Sequence, residues 1–552
     1  MSITGLYKEW LSATEGELHE ELLSMTDKQK EEAFCKNIEF GTGGLRGILG
    51  AGINRMNVYT VRKATKGYAE YIKREGSEAM SRGVAIAYDN RRMSSQFALE
   101  AANVLSENGI KVYLFSTLRP TPELSFAVRE LHAFGGIVIT ASHNPPEYNG
   151  YKLYDENGCQ LVPRYTDVLI DIINAVTIDL YSEPKGNPEL IENIGEKIDE
   201  LYYERVASLS VNPDVSRDIK IIYSAQHGAG NVPVREVLGR CGYNVFAVEE
   251  QCYPDTEFSN TKNPNPETAE AFELSLEIAK TEGADIILIT DPDCDRVGTA
   301  ILHNGEYLRM TGNQMGAVLL EYILSSKQKA GLLPENGMMI NTIVTSDLGD
   351  AVASSYGLEV EKTLTGFKFI GDRIEHHNTT DMKPFMFGYE ESYGYLFGDF
   401  VRDKDAVQAA LIISEACAYY KGLGLTLFDV LGCIYEKHGY FADNLVSITK
   451  PGLDGAAEIQ AIMTAMRKTP PKSIGGRRVV RIEDYTTDMK AAEHIPSSDV
   501  LKYFLDGGSW AAIRPSGTEP KCKIYYSAKG DSKSSAEALL EEMKSDIASL
   551  MK

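Results

Sequence analysis

The sequence predicts an α/β protein, with three similar mixed α/β domains and a C-terminal α+β domain around a central cleft. Three observations carry that expectation. The order strand, helix, strand, helix, strand recurs three times along the chain. Each recurrence ends in polar residues just past an apolar strand, the place where open α/β sheets bind ligands, so three facing domains can each put a loop into one cleft. From about residue 445 the pattern changes to alternating apolar segments mixed with helices, which fits a small α+β domain.

The chain of 552 residues is too long for one core and long enough for roughly three to five domains. Apolar residues make up 43% and charged residues 24%, globular values without bulk disorder. The longest apolar stretches are short, such as Ile286-Ile287-Leu288-Ile289, and the N-terminus lacks a basic and apolar leader. A soluble, cytoplasmic protein without membrane contact is expected. The eight cysteines are scattered and form no Cys-x-x-Cys pair, which argues against a disulfide framework and a structural zinc site. Lys plus Arg number 56 against 79 Asp plus Glu, a formal net charge of −23. That balance argues against a nucleic-acid surface, which needs clustered excess cations. Small anionic substrates stay open, because a local basic cluster can dominate a cleft.

The segment around Glu31-Glu32-Ala33-Phe34 has helical spacing and predicts a surface helix. Next, Phe40-Gly41-Thr42-Gly43-Gly44-Leu45-Arg46-Gly47 surrounds one arginine with glycines. It is either a flexible turn or a place where backbone approaches a ligand closely and Arg46 supplies charge. The first regular unit has strands at 84–88, 111–115 and 136–140 and helices at about 95–108 and 122–132. It runs into Ala141-Ser142-His143-Asn144-Pro145 and on through a loop to Lys152. A polar, Tyr-rich helical stretch follows at about 165–209. The second unit has strands at 219–223, 245–248 and 285–290 and helices at about 232–241 and 268–281, and ends in Asp291-Pro292-Asp293-Cys294-Asp295-Arg296. The third has strands at 338–344, 358–363 and 384–387 and helices at 348–356 and 367–376, and ends in Gly388-Tyr389-Glu390-Glu391-Ser392-Tyr393-Gly394. The units repeat in architecture and not detectably in residue identity. In the tail, strands are expected at 445–448, 479–482, 510–513 and 523–526, with helices near 456–466 and 536–551.

Asp291, Asp293 and Asp295 crowd three carboxylates into one turn, where they repel one another unless a cation intervenes; hard oxygen donors favour Mg²⁺ or Ca²⁺. The offsets do not fit an EF-hand, and a solvated acidic turn is the alternative. Arg296 beside them suits a site shared by metal and phosphate. Arg514-Pro515-Ser516-Gly517-Thr518 offers a guanidinium, two hydroxyls and a glycine N–H to one tetrahedral anion, unless it is an ordinary hairpin turn. Glu390, Glu391 and Ser392 suit sugar hydroxyls or a solvated face, and Thr365-Gly366-Phe367-Lys368 at a helix start can support a sugar or phosphate contact. Ser142 is a turn residue, a nucleophile or a phosphoryl carrier. A nucleophilic serine needs a base, and His143 and Lys152 are near in sequence. The Gly-x-Ser-x-Gly elbow of a Ser-His-Asp hydrolase is absent. If Ser142 carries a phosphoryl group, Mg²⁺ between it and the three aspartates neutralises charge during transfer.

Thr140-Ala141-Ser142-His143-Asn144-Pro145, Asp291-Pro292-Asp293-Cys294-Asp295-Arg296, Gly388-Tyr389-Glu390-Glu391-Ser392 and Arg514-Pro515-Ser516-Gly517-Thr518 resemble, in that order, the four signature loops of the α-D-phosphohexomutase family. The resemblance implies four domains, taken as 1–207, 208–308, 309–436 and 437–552, together with Mg²⁺ and a phosphoserine at Ser142. It implies that phosphorylated Ser142 and the metal ligands Asp291, Asp293 and Asp295 serve both halves of a phosphosugar mutase reaction through a bound 1,6-bisphosphate, which also acts as activator. Glu390 and Ser392 match positions that hold sugar hydroxyls, and Arg514, Ser516, Gly517, Thr518 and Lys523 match the grip on the phosphate not being transferred. Arg46, His143, Lys152 and Arg296 match positions near the transferring phosphate. Lys152 ranks ahead of His143 for proton transfer, because crowding by Arg46 and Arg296 lowers a lysine's pKa, although phosphate acts the other way.

Gly43 departs from relatives that often carry serine or aspartate there. Leu364-Thr365-Gly366-Phe367-Lys368 is most similar to the phosphoglucomutase branch that includes phosphopentomutases, and Glu390-Glu391-Ser392 resembles glucose-preferring members. The expected activity is therefore interconversion of glucose 1-phosphate and glucose 6-phosphate by a monomer or homodimer. Mannose or pentose phosphates, a noncatalytic phosphosugar-binding protein and a serine hydrolase are the alternatives.

Overall fold

The computed structural model describes residues 2–40, 44–450, 455–487, 495–516 and 521–551. Two compact units are present, one of Met1–Met310, Phe367–Gly388 and Ser392–Gly424 and one of Thr311–Gly366, Tyr389–Glu391 and Leu425–Lys552.

The first unit begins with three helices, Ile3–Ala13, Gly16–Ser24 and Asp27–Phe34, in place of the single surface helix expected. Extended residues Thr14 and Met25 break the chain between them, and Trp10, Leu22, Met25, Ala33 and Phe34 pack into a small core of their own. One long run of helical spacing does not reveal such breaks, because the apolar residues of all three helices point to the same cluster.

The first sheet of this unit has six strands, in the order Gly44–Ile48, Tyr148–Tyr154, Gly135–Ile139, Val84–Tyr88, Val112–Phe115, Ile191–Ile194. The last four are parallel, and Tyr148–Tyr154 runs antiparallel to both its neighbours. Every residue of Gly135–Ile139 is buried, as expected for a parallel strand covered on both faces, which reads as a continuous apolar run. The second sheet has five strands, in the order Glu306–Met310, Val297–His303, Ile286–Thr290, Lys220–Ser224, Asn244–Ala247. Its last three are parallel and Val297–His303 is antiparallel to both neighbours. In both sheets the third strand of the repeat lies beside the first, the first lies beside the second, and an antiparallel strand follows the third. The Ser142 and Asp291 loops are thus the connections of antiparallel strand pairs, and Lys152 stands on a strand instead of in a loop.

In the second unit the parallel pair Met338–Thr342 and Glu359–Thr363 belongs to a four-stranded sheet. The third repeat's last strand extends to residue 390 as Phe385–Glu390, so Gly388, Tyr389 and Glu390 are strand residues and only Glu391, Ser392 and Tyr393 form the turn. The C-terminal sheet is antiparallel and six-stranded, in the order Tyr440–Thr449, Lys521–Gly530, Trp510–Pro515, Leu501–Leu505, Arg477–Asp484, Ser473–Ile474. Helices Gly455–Lys468 and Lys533–Leu550 supply Ile459, Met463, Met543 and Ile547 to its core. Several helices were not anticipated, among them Val58–Glu75, Gly312–Lys329, Ala406–Gly422 and Leu427–His438.

Candidate active site

The loop after Gly135–Ile139 puts Ser142 in the left-handed region at φ 53°, nearly buried. A non-glycine residue there is uncommon and needs surrounding support. Thr140 Oγ1 accepts from the Ser142 N–H at 2.7 Å. The Ser142 hydroxyl donates to Asp291 Oδ2 at 2.7 Å, and His143 Nδ1 lies 3.2 Å from Ser142 Oγ. Asp291 is itself organised by its loop, since its Oδ1 accepts from the N–H groups of Asp295 and Arg296 at 3.1 and 3.0 Å.

Asp291, Asp293 and Asp295 are all buried, and one carboxylate oxygen from each lies within 4.8 Å of the others. Lys152 Nζ donates to Asp293 Oδ2 at 3.0 Å and lies 3.9 Å from Asp295 Oδ2. Lys404 Nζ is 3.0 Å from Asp295 Oδ2. The second oxygens, Asp293 Oδ1 and Asp295 Oδ1, are buried and have no hydrogen-bond partner among the described residues. Orphaned, buried, hard oxygen donors on one turn fit a small divalent cation such as Mg²⁺. Burial pushes Asp291 well above the usual carboxylate range, and the charges of Asp293 and Asp295 push the same way. Asp293 is equally buried, yet Lys152 and its other partners outweigh burial and hold it below that range. Burial, with Arg296 and Arg46 nearby, lowers His143 well below the usual imidazole value, so its ring is neutral at neutral pH.

Arg296 pairs with Glu267 at 2.5 Å, its Nε standing 3.8 Å from Asp295 Oδ1, and Arg46 Nη1 donates to Asn144 Oδ1 at 3.4 Å. The predicted Ser142, His143, Lys152, Arg46, Arg296 and three aspartates therefore do meet around one loop pair. The arginine crowding expected around Lys152 is not its immediate setting, because its ion-pair partners are Asp293 and Asp295. Lys368 and Ser392 belong to the same unit. Lys368 is buried at the start of helix Phe367–His376, where its carbonyl accepts from Cys159 Sγ at 3.2 Å, and Ser392 sits half-buried in its turn.

In the second unit Glu390 is buried and its Oε1 accepts the Gly366 N–H at 2.7 Å, a contact joining two segments singled out in the sequence. Gly366 has φ 115°, which a side chain rarely tolerates, and Thr365 precedes it. Glu391 Oε2 accepts from Thr345 Oγ1 at 3.2 Å and Thr342 Oγ1 at 3.4 Å. Arg514 lies opposite Lys523 on adjacent antiparallel strands, and the Ser516 N–H donates to the Lys521 carbonyl at 2.7 Å. Gly517 and Thr518, like Gly41, Thr42 and Gly43, lie outside the described residues.

Three contributors were not read from the sequence. Thr121, at the start of helix Thr121–Glu130, donates through Oγ1 to Asp293 Oδ2 at 3.1 Å. Lys404 lies just before the helix Ala406–Gly422, between Asp403 and the capping Asp405. Arg91 follows strand Val84–Tyr88 and donates to the Ser142 carbonyl. A usable signal existed for Arg91, since Asp89-Asn90-Arg91 is a polar run at the carboxyl end of a buried strand.

Four domain families match the chain in succession: phosphoglucomutase/phosphomannomutase alpha/beta/alpha domain I over residues 37–178, domain II over 200–304, domain III over 311–436, and the C-terminal domain over 454–545. A phosphoglucomutase of Staphylococcus epidermidis (strain ATCC 12228 / FDA PCI 1200) is 38% identical over 522 residues, 92% of this chain and 94% of that protein. One of Staphylococcus aureus (strain MSSA476) is 38% identical over 517 residues, 91% and 92% of the two chains. Among solved structures, the Paramecium phosphoglucomutase pp63/parafusin is similar with a TM-score of 0.70 at 19% identity, over 93% of this chain and 95% of that one. A phosphoglucomutase/phosphomannomutase family protein from Burkholderia thailandensis gives 0.68 at 16% identity, over 93% and 97%. Fold and relatives together define an enzyme of the phosphotransferase mutase class. The chain belongs to the phosphoglucomutase/phosphomannomutase family.

Proposed function

We propose that this enzyme interconverts glucose 1-phosphate and glucose 6-phosphate, with Ser142 carrying the phosphoryl group and glucose 1,6-bisphosphate as intermediate and activator. The observation that carries the reading is the hydrogen bond from Ser142 Oγ to Asp291 within a buried carboxylate triad. The 38% identity to staphylococcal phosphoglucomutases supports glucose as the sugar. A solved Aspergillus fumigatus N-acetylphosphoglucosamine mutase was obtained with magnesium, and Asp291, Asp293 and Asp295 would hold that ion here. When bound, Mg²⁺ offsets the negative charge of the phosphoryl group in flight.

In the forward direction the sugar O6 attacks phosphorus, the bond from phosphorus to Ser142 Oγ breaks, and a bond to O6 forms. The O6 proton passes to the neutral ring of His143, and the imidazolium so formed returns a proton to Oγ, so the step is neutral in protons. His143, with a neutral ring beside Oγ, serves the proton at the serine oxygen. Lys152, tied to Asp293, orients the loop pair and faces the phosphoryl group with its charge. Arg46 and Arg296 add charge beside it, and Lys368 and Thr365 support the sugar phosphate. After the bisphosphate turns round, the other phosphate returns to Ser142 by the same step. Glu390, steadied by the Gly366 N–H, and Ser392 receive sugar hydroxyls. Arg514, Ser516, Gly517, Thr518 and Lys523 grip the phosphate that is not moving.

No single helix among the described residues is long and apolar enough to cross a membrane, and all eight cysteines are free. A cytoplasmic location and a monomeric or homodimeric state are part of the same proposal. Intact mass of the purified protein is expected to show a fraction one phosphoryl group heavier, absent in Ser142→Ala, and only the wild type should convert glucose 1-phosphate with Mg²⁺ and glucose 1,6-bisphosphate present. Undiminished turnover by Ser142→Ala would sink the reading.

A further inference from the structure

We infer that Arg91 is a positioning residue for phosphoryl transfer, a buried cation that sets the backbone of the Ser142 loop. This rests on the reading of Ser142 as the phosphoryl carrier. The side chains of Arg91 and Asp89 are fully buried, with Arg91 Nε 3.3 Å from Asp89 Oδ2. One terminal nitrogen donates to the carbonyls of Ser142 and Asn144. The other donates to the carbonyls of Pro145 at 2.8 Å and Tyr148 at 3.1 Å. Four carbonyl dipoles of one loop thus point at one guanidinium, and without it they repel one another in a dry interior.

The cation is itself held from several sides. Asp89 Oδ1 accepts from Ser94 Oγ at 2.7 Å and from the Arg91 N–H at 3.0 Å. The Ser94 hydroxyl also accepts from Asn149 Nδ2 at 3.0 Å, which ties the far end of the loop to the same anchor. The Phe258 ring centroid is 5.1 Å from the guanidinium carbon. The loop so clamped holds Ser142 at its left-handed φ of 53° and aims Oγ at Asp291. A planar fork matches four acceptors spread along a loop, whereas an ammonium is a point charge with three donors. Arg91→Lys therefore keeps the charge and loses the geometry.

Arg91→Lys is expected to lower kcat by about 100-fold, the scale of a misplacement of roughly 1 Å at a reacting group. KM for glucose 1-phosphate should change less than kcat, because the sugar contacts lie on other loops. In Arg91→Ala, guanidinium chloride below denaturing concentration is expected to restore part of kcat. Wild-type kcat in folded Arg91→Lys, or a kcat loss that only tracks the folded fraction, would overturn the inference. If Arg91→Lys does not fold, Ser94→Ala loosens the anchor more gently. It should reduce kcat at little-changed KM and speed amide hydrogen exchange over residues 142–148, and unchanged values of both count against the clamp. Should the wild type itself show neither phosphoserine nor turnover, the carrier reading fails, and with it the catalytic part of this inference.

Discussion

Ser142 and Asp291 stand 149 positions apart, and their 2.7 Å hydrogen bond turns two separately ambiguous motifs into one site. Each was open to a bland reading, the serine as a turn residue and the aspartates as a solvated acidic turn. Burial removes the second of these, since Asp291, Asp293 and Asp295 are withdrawn from water and two of their oxygens have no partner among the described residues. Asp295→Asn removes one hard anionic donor and leaves Lys404 facing a neutral amide. Its Mg²⁺ affinity, measured by titration calorimetry, is expected to fall by more than about 100-fold, beyond the roughly 10- to 100-fold that loss of a supporting contact alone produces. Unaltered affinity would show that the triad is not the ion's seat. Residue types were legible in the sequence because alternating aspartates and a serine at a strand end are unusual. Lys404 was not, because a lone lysine between two aspartates at a helix start looks like any solvated cap.

At the scale of elements, the strands of the three repeats were read to within a few residues because buried parallel strands are uninterrupted apolar runs. The helices that escaped have separate physical reasons. Ala406–Gly422 is buried almost throughout, so it has no polar face to mark a helical period. Val58–Glu75 is capped by Asn57 with Thr60 in the third position, which does not match the usual Glu or Gln signal. Gly312–Lys329 carried a legible sign, Thr311 followed by Gln314, which forms a capping box. Packing between elements supplies a further test. A Cβ on Gly228 would lie 2.4 Å from Pro292 Cα, and the Ala229 N–H donates to the Pro292 carbonyl at 2.8 Å. Gly228→Ala must therefore displace the Asp291 loop. It is expected to destabilise the protein by about 1–3 kcal/mol and to weaken Mg²⁺ binding, as followed by thermal unfolding with and without the ion. Equal melting temperatures and ion-induced shifts in the two proteins would remove the buttress.

At the scale of the molecule, the second unit carries a pH dependence that no single motif announces. Lys502 is buried, its Nζ donating to the Ile343 carbonyl at 2.6 Å and standing 3.9 Å from the Trp510 ring centroid. Burial lowers its pKa to about 7, with Asp347 pulling it up and Lys362 pushing it down, and Asp350 and Glu483 acting from further elements. The unfolded lysine keeps its proton up to about pH 10. Between about pH 7 and 10 the unfolded state therefore binds more protons, and stability rises with pH by roughly 1 kcal/mol per unit from this group; below pH 7 the full penalty stands. Relative to Lys502→Met, the wild type should gain stability in denaturant unfolding as pH is raised from 7 to 10. A constant difference would place the charge of Lys502 outside this balance.

The sequence by itself determined the repeat of α/β units, the order of the site loops, the family and the residue types of the chemistry, because periodicity, turn residues and motifs are local properties of a chain. Tertiary structure alone decided that the first two sheets share one strand order, that Lys152 and Glu390 stand on strands, and that Thr121 and Lys404 join the site. Those outcomes depend on which distant segments become neighbours and which charges lose their water, and neither is written in any short stretch of residues.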